Sequence, residues 1–458
     1  MKSLSRFLQV VCPPLAVLLF CGFASQPART STPLLVVTAA PAYRPLAALS
    51  GGERFPRGAQ LLLVRDGQAT PLVEGFAQTA DADVSFDGKK LLFTGKENAT
   101  DNWSIWEFTF EERSVRKVIG GKTDSIRPLY LPENHLVYAR LTDHGFQLNN
   151  AKLDGTGTLP LSYINAAALP ETVLADGRIL FVAGFPLGTD IARGATPELF
   201  LVYSDGSGIE SYRCDHGAPR WGGKQLASGD LVFTHGLRLA RFTSSLATEA
   251  TVTAPSAEYA GAPVETETGT WLVSARASTL GHYALKQFKP GSKGSLLTVL
   301  SRPGEDLVEP VLVTPRKRPN HHPTALHKWD YANLLALDAR QSRDGALKAR
   351  PTAVRMESLD AKGDSSTLGM SPVESDGSFF VKVPADRPIR FALLDEKGVT
   401  LRKERGWFWT RKGEQRYCVG CHAGPEHAPD NRVPQVLLHT TTPVDLTGSG
   451  HQAKSGGQ

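Results

Sequence analysis

Phe86-Asp87-Gly88-Lys89-Lys90-Leu91-Leu92-Phe93-Thr94 sets a polar Asp-Gly turn directly ahead of a short apolar run. A turn of this kind supplies the left-handed backbone that a tight hairpin needs, and the run after it is a strand length of Leu and Phe. The same arrangement returns along the chain. Pro132-Glu133-Asn134-His135-Leu136-Val137-Tyr138 is one copy, and Ala175-Asp176-Gly177-Arg178-Ile179-Leu180-Phe181 is another. Ser228-Gly229-Asp230-Leu231-Val232-Phe233 and Thr268-Gly269-Thr270-Trp271-Leu272-Val273 follow. The last apolar residue of each copy falls at 93, 138, 181, 233 and 273, roughly forty to fifty residues apart.

Each unit holds further strands. Ser104-Ile105-Trp106-Glu107-Phe108 leads through a turn to Val115-Arg116-Lys117-Val118, and Leu199-Phe200-Leu201-Val202-Tyr203 leads into Ser204-Asp205-Gly206. Several strands per unit at this period mark the blades of a β-propeller, because one such sheet cannot bury both faces alone. The Ser-Phe-Asp-Gly-Lys-Lys-Leu-Leu-Phe stretch resembles the blades of TolB-like propellers, which implies architecture and not function. Five units are evident, and residues 59–73 and 306–314 are expected to combine and close a ring of about six blades. The propeller is expected over residues 44–315, as a scaffold or docking surface.

Beyond it, Thr314-Pro315-Arg316-Lys317-Arg318-Pro319-Asn320-His321-His322-Pro323 is basic and Pro-rich and reads as a connector. Strands are then expected at 331–337, 352–357, 377–384, 388–394 and 399–401, with Asp395-Glu396-Lys397-Gly398 as a turn. Their alternation favours a compact β-sandwich-like module spanning residues 316–440, with 441–458 as a disordered tail. The fold class expected is therefore all-β: a propeller followed by a small β-sandwich-like domain.

The chemistry concentrates in Trp407-Phe408-Trp409-Thr410-Arg411-Lys412-Gly413-Glu414-Gln415-Arg416-Tyr417-Cys418-Val419-Gly420-Cys421-His422. Cys-x-x-Cys-His is the attachment pattern of a c-type haem. The thiols of Cys418 and Cys421 add across two porphyrin vinyl groups, and His422 then reaches the iron from the proximal side. One covalent haem c is the cofactor expected, with His422 the metal ligand. A zinc site would need a second ligand pair, for which only His427 and His439 stand near; a thioredoxin-like pair would need an α/β setting. Trp407, Trp409 and Tyr417 are candidates to pack on the porphyrin, or are core of the β module. Arg405, Arg411 and Arg416 are candidates to pair with propionates. The other side of the iron is open to His427, His439, Met356, Met370, Tyr417 or the group His321, His322 and His327, each more simply read as a surface or core residue.

The first 24 residues read as a signal peptide: Lys2 and Arg6 begin it, an apolar run over residues 10–20 follows, and Gly22 and Ala24 offer a cleavage site. Cys21 raises lipid anchoring as an alternative, though Phe20 stands where a small residue normally precedes a lipidated cysteine. A periplasmic or otherwise exported location follows. The formal charge of +5 falls to +3 without Lys2 and Arg6, which gives no reason to expect nucleic acid as a partner. Cys214 stands alone once the leader and the haem motif take the other four cysteines, so no disulfide framework is expected.

Asp376-Gly377-Ser378-Phe379, Val383-Pro384-Ala385-Asp386, Gly413-Glu414 and the Cys418-to-His422 motif, in this order after a propeller, resemble the hydrazine synthase alpha family. The resemblance implies an N-terminal propeller and a middle domain with one c-type haem. That family carries a further domain with a second haem, and no second Cys-x-x-Cys-His occurs here. What carries over is architecture and haem attachment, not hydrazine synthesis. Three functions compete. The first is redox or small nitrogen- or oxygen-compound chemistry at the haem. The second is a non-enzymatic electron carrier or complex subunit, with a redox partner at the haem edge. The third is a propeller binding protein with a structural haem.

Overall fold

The computed structural model describes residues 33–184, 196–213, 219–244, 246–291, 294–342, 345–360, 362–404, 406–420 and 430–448. The expected signal segment, Cys214, Arg405, His427 and, at the motif, Cys421 and His422 lie outside the described residues. Among those described, the only helical turns are Ala47–Ser50 and Gln435–His439, and no helix is long and apolar enough to cross a membrane.

Six antiparallel sheets follow one another along the chain, and each packs beside the next. Blade 2 is typical: Gln78–Val84, Lys90–Lys96, Ser104–Thr109 and Ser114–Ile119 run from the axis outward. The recurring apolar residue of the sequence repeat is the centre of blades 2 to 6: Phe93, Tyr138, Phe181 and Phe233 are fully buried, and Val273 nearly so. Burying a large side chain at that point on both sheet faces is what forces the sheets to stack.

Blade 1 closes the ring. Asp306–Leu312 is its inner strand and Gln60–Arg65 with Gln68–Pro71 its outer pair, as the spacing of 59–73 and 306–314 suggests. Between them lies a strand missing from the expected domain limits. Leu35–Ala40 pairs with both neighbours, Leu35 facing Val64 on one side and Leu312 on the other. It begins upstream of residue 44, and no Asp-Gly or Ser-Gly pair precedes it in the sequence. Its six residues are all buried, so its pattern lacks the alternation that marks a half-exposed strand.

The second domain is a sandwich of two four-stranded sheets. One contains Ser365–Pro372, Ala353–Leu359, Ile389–Leu394 and Thr400–Lys403; the other contains Gln415–Cys418, Tyr331–Ala336, Phe379–Pro384 and Val444–Asp445. Leu334, Val354, Met356, Phe379, Val381 and Ile389 meet between them. Two corrections follow. Ser365–Pro372 is a mostly exposed edge strand whose Ser and Thr conceal it in the sequence. The expected disordered tail is partly seated: Val444 and Asp445 pair with Val381 and Lys382, and Leu446 is buried in the sandwich core.

The connector lies on the propeller by backbone contacts at the Asp-Gly turns. Arg316 N–H donates to Phe86 O (2.9 Å) and Asn320 N–H to Ala175 O (2.9 Å). A Cβ on Gly88 would come within 2.8 Å of Pro315 N, and one on Gly177 within 2.3 Å of Asn320 O. Those glycines serve twice, once for the turn (φ 74° and 91°) and once for close approach of the connector.

Candidate functional site

Gln415–Cys418 runs parallel to Tyr331–Ala336, with Ala336 opposite Cys418 and Leu337 N–H donating to Cys418 O (2.9 Å). Alternation along this short strand turns Arg416 and Cys418 inward and Gln415 and Tyr417 outward. Cys418 packs against the sandwich core beside Phe408 and Phe391. It opens onto a cavity of about 140 Å³ lined by Ala336, Ala339, Phe379, Phe391, Leu393 and Phe408, with Arg416 and Glu404 as its charged side chains and Gly420 at the backbone. Burial pushes the Cys418 thiol above its ordinary pKa, against the opposing pull of the Arg416 cation.

Arg416 joins this cavity to the propeller. Its Nη2 donates to Ile209 O of blade 4, its Nη1 lies 3.5 Å from Glu414 Oε1, and its guanidinium stands 5.4 Å from the Phe408 ring centre. The buried Nη1 has no hydrogen-bond acceptor. Phe408 and Arg416 also line a second cavity of about 130 Å³, whose other walls are Trp407, Trp409 and blade residues including Phe181, Phe200 and Ile209.

The remaining candidates separate into groups. Trp409 is 1% exposed, sits in the apolar cluster of blades 3 and 4, and donates from Nε1 to Gly206 O (2.8 Å), so it plugs the domain junction. Arg411 is equally buried there, 3.2 Å from Asp386 Oδ1 and 4.8 Å from the Tyr163 ring centre, away from the Cys418 cavity. Trp407 lies under the Arg390 guanidinium at 4.1 Å. Tyr417 is 69% exposed on the outer sheet face. Among the proposed second ligands, Met356 is fully buried in the core and Met370 is exposed, while His439 pairs with Glu374 (3.0 Å). His322 stacks on Tyr203 and His327 on Trp329, each at 3.9 Å between ring centres, and His321 lies on the connector. Glu404 and Phe391 escaped sequence reasoning, since nothing in their local pattern sets them apart from ordinary strand residues, while Phe379 was noted only within the Asp376–Phe379 stretch and not as a cavity wall.

A second support meets the chain just beyond the motif. Asp376 Oδ2 accepts from Gln435 N–H (2.8 Å) and from Arg432, and Asp376 Oδ1 accepts from Ser378 N–H (2.9 Å) and Oγ (2.6 Å). Ser378 Oγ in turn accepts from Val436 N–H (3.1 Å). Desolvation alone would raise the Asp376 pKa, but these donors outweigh it and bring the carboxyl down to about 2. The Asp-Gly-Ser turn thus pins the return limb, while the 415–418 strand pins the approach.

Three comparisons with known proteins agree with this architecture. Residues 334–423 match the sequence model of the hydrazine synthase alpha subunit middle domain. Hydrazine synthase subunit alpha of Kuenenia stuttgartiensis is 26% identical over 159 residues, which are 34% of this chain and 17% of that protein. The solved Kuenenia stuttgartiensis hydrazine synthase superposes with a TM-score of 0.74 over 89% of this chain and 71% of that one, at 16% identity, which speaks for the fold. TolB from Acinetobacter baumannii aligns with 58% of this chain and 65% of its own, at 11% identity and a TM-score of 0.41, too low to carry an argument. The chain is hydrazine synthase alpha-like, in sequence at the middle domain and in fold across both domains.

Proposed function

We propose that this chain is an exported monohaem c-type protein, with the haem attached through Cys418 and Cys421, His422 on the iron, and redox or small nitrogen-compound chemistry at that centre. One observation carries the reading: Cys418 faces an apolar cavity whose arginine has a buried N–H without a hydrogen-bond acceptor, only the Glu414 carboxylate standing 3.5 Å away. An apolar wall of Phe379, Phe391 and Phe408 suits a porphyrin edge, and an incompletely paired guanidinium suits a propionate. When bound, the haem supplies a one-electron centre and, where a coordination position stays open, a place for a small ligand.

The chain's own contribution is positional. The 415–418 strand fixes one thiol, the Asp376–Ser378 turn fixes Gln435 and Val436, and Arg416 ties the cavity to blade 4. Phe408, shared by both cavities, limits water on the propeller side. The propeller then serves as scaffold and docking face, with a redox partner approaching the haem edge. Similarity to a nitrogen-compound enzyme supports the choice of chemistry, over a matched segment that is a minor part of that protein.

Protein produced in a host with cytochrome c maturation machinery decides the matter. Covalent haem on the peptide holding Cys418 and Cys421, lost in Cys418→Ala, is the expected result; an unmodified peptide overturns the assignment. A reduced spectrum that changes on adding carbon monoxide or nitric oxide supports ligand chemistry. An unchanged six-coordinate spectrum leaves electron transfer instead.

A further inference from the structure

The inner strand of every blade breaks register at the same place. The interruptions fall after Ala80, Ile126, Pro170 and Trp221, at residues 260–263, and beside Val308. Each puts one residue at the propeller axis: Glu309 from blade 1, then Asp81, Arg127, Glu171, Gly222 and Gly261 from blades 2 to 6. Asp81, Arg127 and Glu309 adopt φ of 56°, 53° and 55°, a conformation that side-chain-bearing residues take at a cost and keep where the surroundings demand it. Four blades thus project charge, while two present bare backbone. A Cβ on Gly222 would lie 2.6 Å from Gly261 Cα, so the two glycines let blades 5 and 6 approach each other.

The result is a chamber of about 130 Å³. Its first layer holds Glu309, Asp81, Arg127 and Glu171, joined from behind by Arg54, which pairs with Asp81 and Glu309. Three carboxylates against two guanidiniums leave this layer one negative charge in excess. Two residues further along each inner strand, a second layer is apolar at Leu129, Val173 and Val311 but carries Asp83 on blade 2 and Lys224 on blade 5, with Arg316 reaching in from the connector. Asp83 is taken up by Arg316 (2.8 Å) and by Tyr130 N–H (2.8 Å). That leaves one positive charge in excess, on Lys224, whose pKa is brought to about 8 by burial and by the Arg316 cation, against the pull of Asp83.

We infer that the propeller axis is a binding site for a small zwitterion of the α-amino-acid class, its carboxylate toward Lys224 and its ammonium toward the Glu309–Glu171 layer. The reasoning is electrostatic and steric. The two layers carry opposite excess charge, so a free anion or cation would satisfy one end and worsen the other, while a zwitterion satisfies both. The volume is comparable to the roughly 150 Å³ that accommodates benzene, which restricts the ligand to about half a dozen heavy atoms. This site is separate from the Cys418 cavity and stands whether or not haem is attached there.

Calorimetric titration of the purified full chain at pH 7 with glycine and L-alanine tests it, with acetate and methylamine as half-ligands. Saturable binding of glycine or alanine, at least tenfold tighter than either half-ligand, is expected. Lys224→Met should weaken that binding at least tenfold and Lys224→Arg much less, with circular dichroism unchanged in both. Absence of saturable heat with both amino acids overturns the proposal, as does acetate binding as tightly as glycine. Equal binding by the Lys224→Met chain also overturns it.

Discussion

At the axis of the propeller, Arg54 and Arg127 are locked among Asp81, Glu171 and Glu309, each guanidinium serving two acids. In the sandwich cavity, Arg416 stands among Phe379, Phe391 and Phe408, with Glu414 3.5 Å from its Nη1. All are internal arginines, yet the first two share three carboxylates and the third has aromatic rings around it and one carboxylate at the edge of ion-pair range. Several close ion pairs offset more of the desolvation cost of their members and rigidify the ring more than one long pair does. The number of charged partners therefore separates these arginines more sharply than burial does.

Arg54→Met tests the more densely paired side most severely. It strands Asp81 and Glu309 without their shared cation, and a loss of about 3–5 kcal/mol is expected in denaturant unfolding of the propeller. The matching Arg416→Met change should cost far less stability and instead alter haem loading or potential. Equal stability losses would erase the contrast.

The sandwich has a densely paired network of its own, which acid should open. Burial alone would raise the Glu357 pKa, but Lys403 and Arg390 outweigh it and hold the carboxyl at about 2. A depressed carboxylate adds stability above its unfolded pKa, and that stability disappears as pH falls from about 4.5 toward 2. On the order of 2–3 kcal/mol is expected to vanish in that window, discounted for the partly exposed Lys403. Glu357→Gln should flatten the acid limb of the stability curve.

Gly177→Ala probes the junction between the regions. With φ at 91° and Asn320 O 2.3 Å from the new Cβ, about 1–3 kcal/mol of local stability should be lost. Faster proteolysis within the connector is the readout. Asp376→Asn is the mildest change. It weakens the support of the return limb by about 1 kcal/mol, read as roughly fivefold faster amide exchange at Gln435 and Val436. Unchanged exchange would mean that limb is held by other contacts.

The Asp-Gly turns and the apolar runs behind them were readable because turn chemistry and strand burial are local. Leu35–Ala40 was not, since a strand buried on both faces with no turn signal before it in the sequence resembles any apolar stretch. Ser365–Pro372 escaped for the opposite reason, being an edge with little to bury. At the site, Cys418 stood out through the Cys-x-x-Cys-His spacing, and the structure sets it at the wall of an apolar cavity. Trp409 and Arg411 stand beside the motif in sequence, but their contacts with Gly206 and Tyr163 depend on domain docking, which adjacency along the chain does not encode. The axial bulges were invisible for a related cause: each is only one or two residues of register, and only the ring brings six together.

The pairing of Leu35 with Leu312 staples two ends of the propeller that are far apart in synthesis. During translation blade 1 must wait, with Leu35–Ala40 unpaired on its inner edge, until Asp306–Leu312 has been made, which imposes a slow, high-separation contact late in folding. The cysteine motif is made about a hundred residues later still. The clasp can therefore be complete before the cysteine motif leaves the ribosome, so the second domain folds against a finished ring.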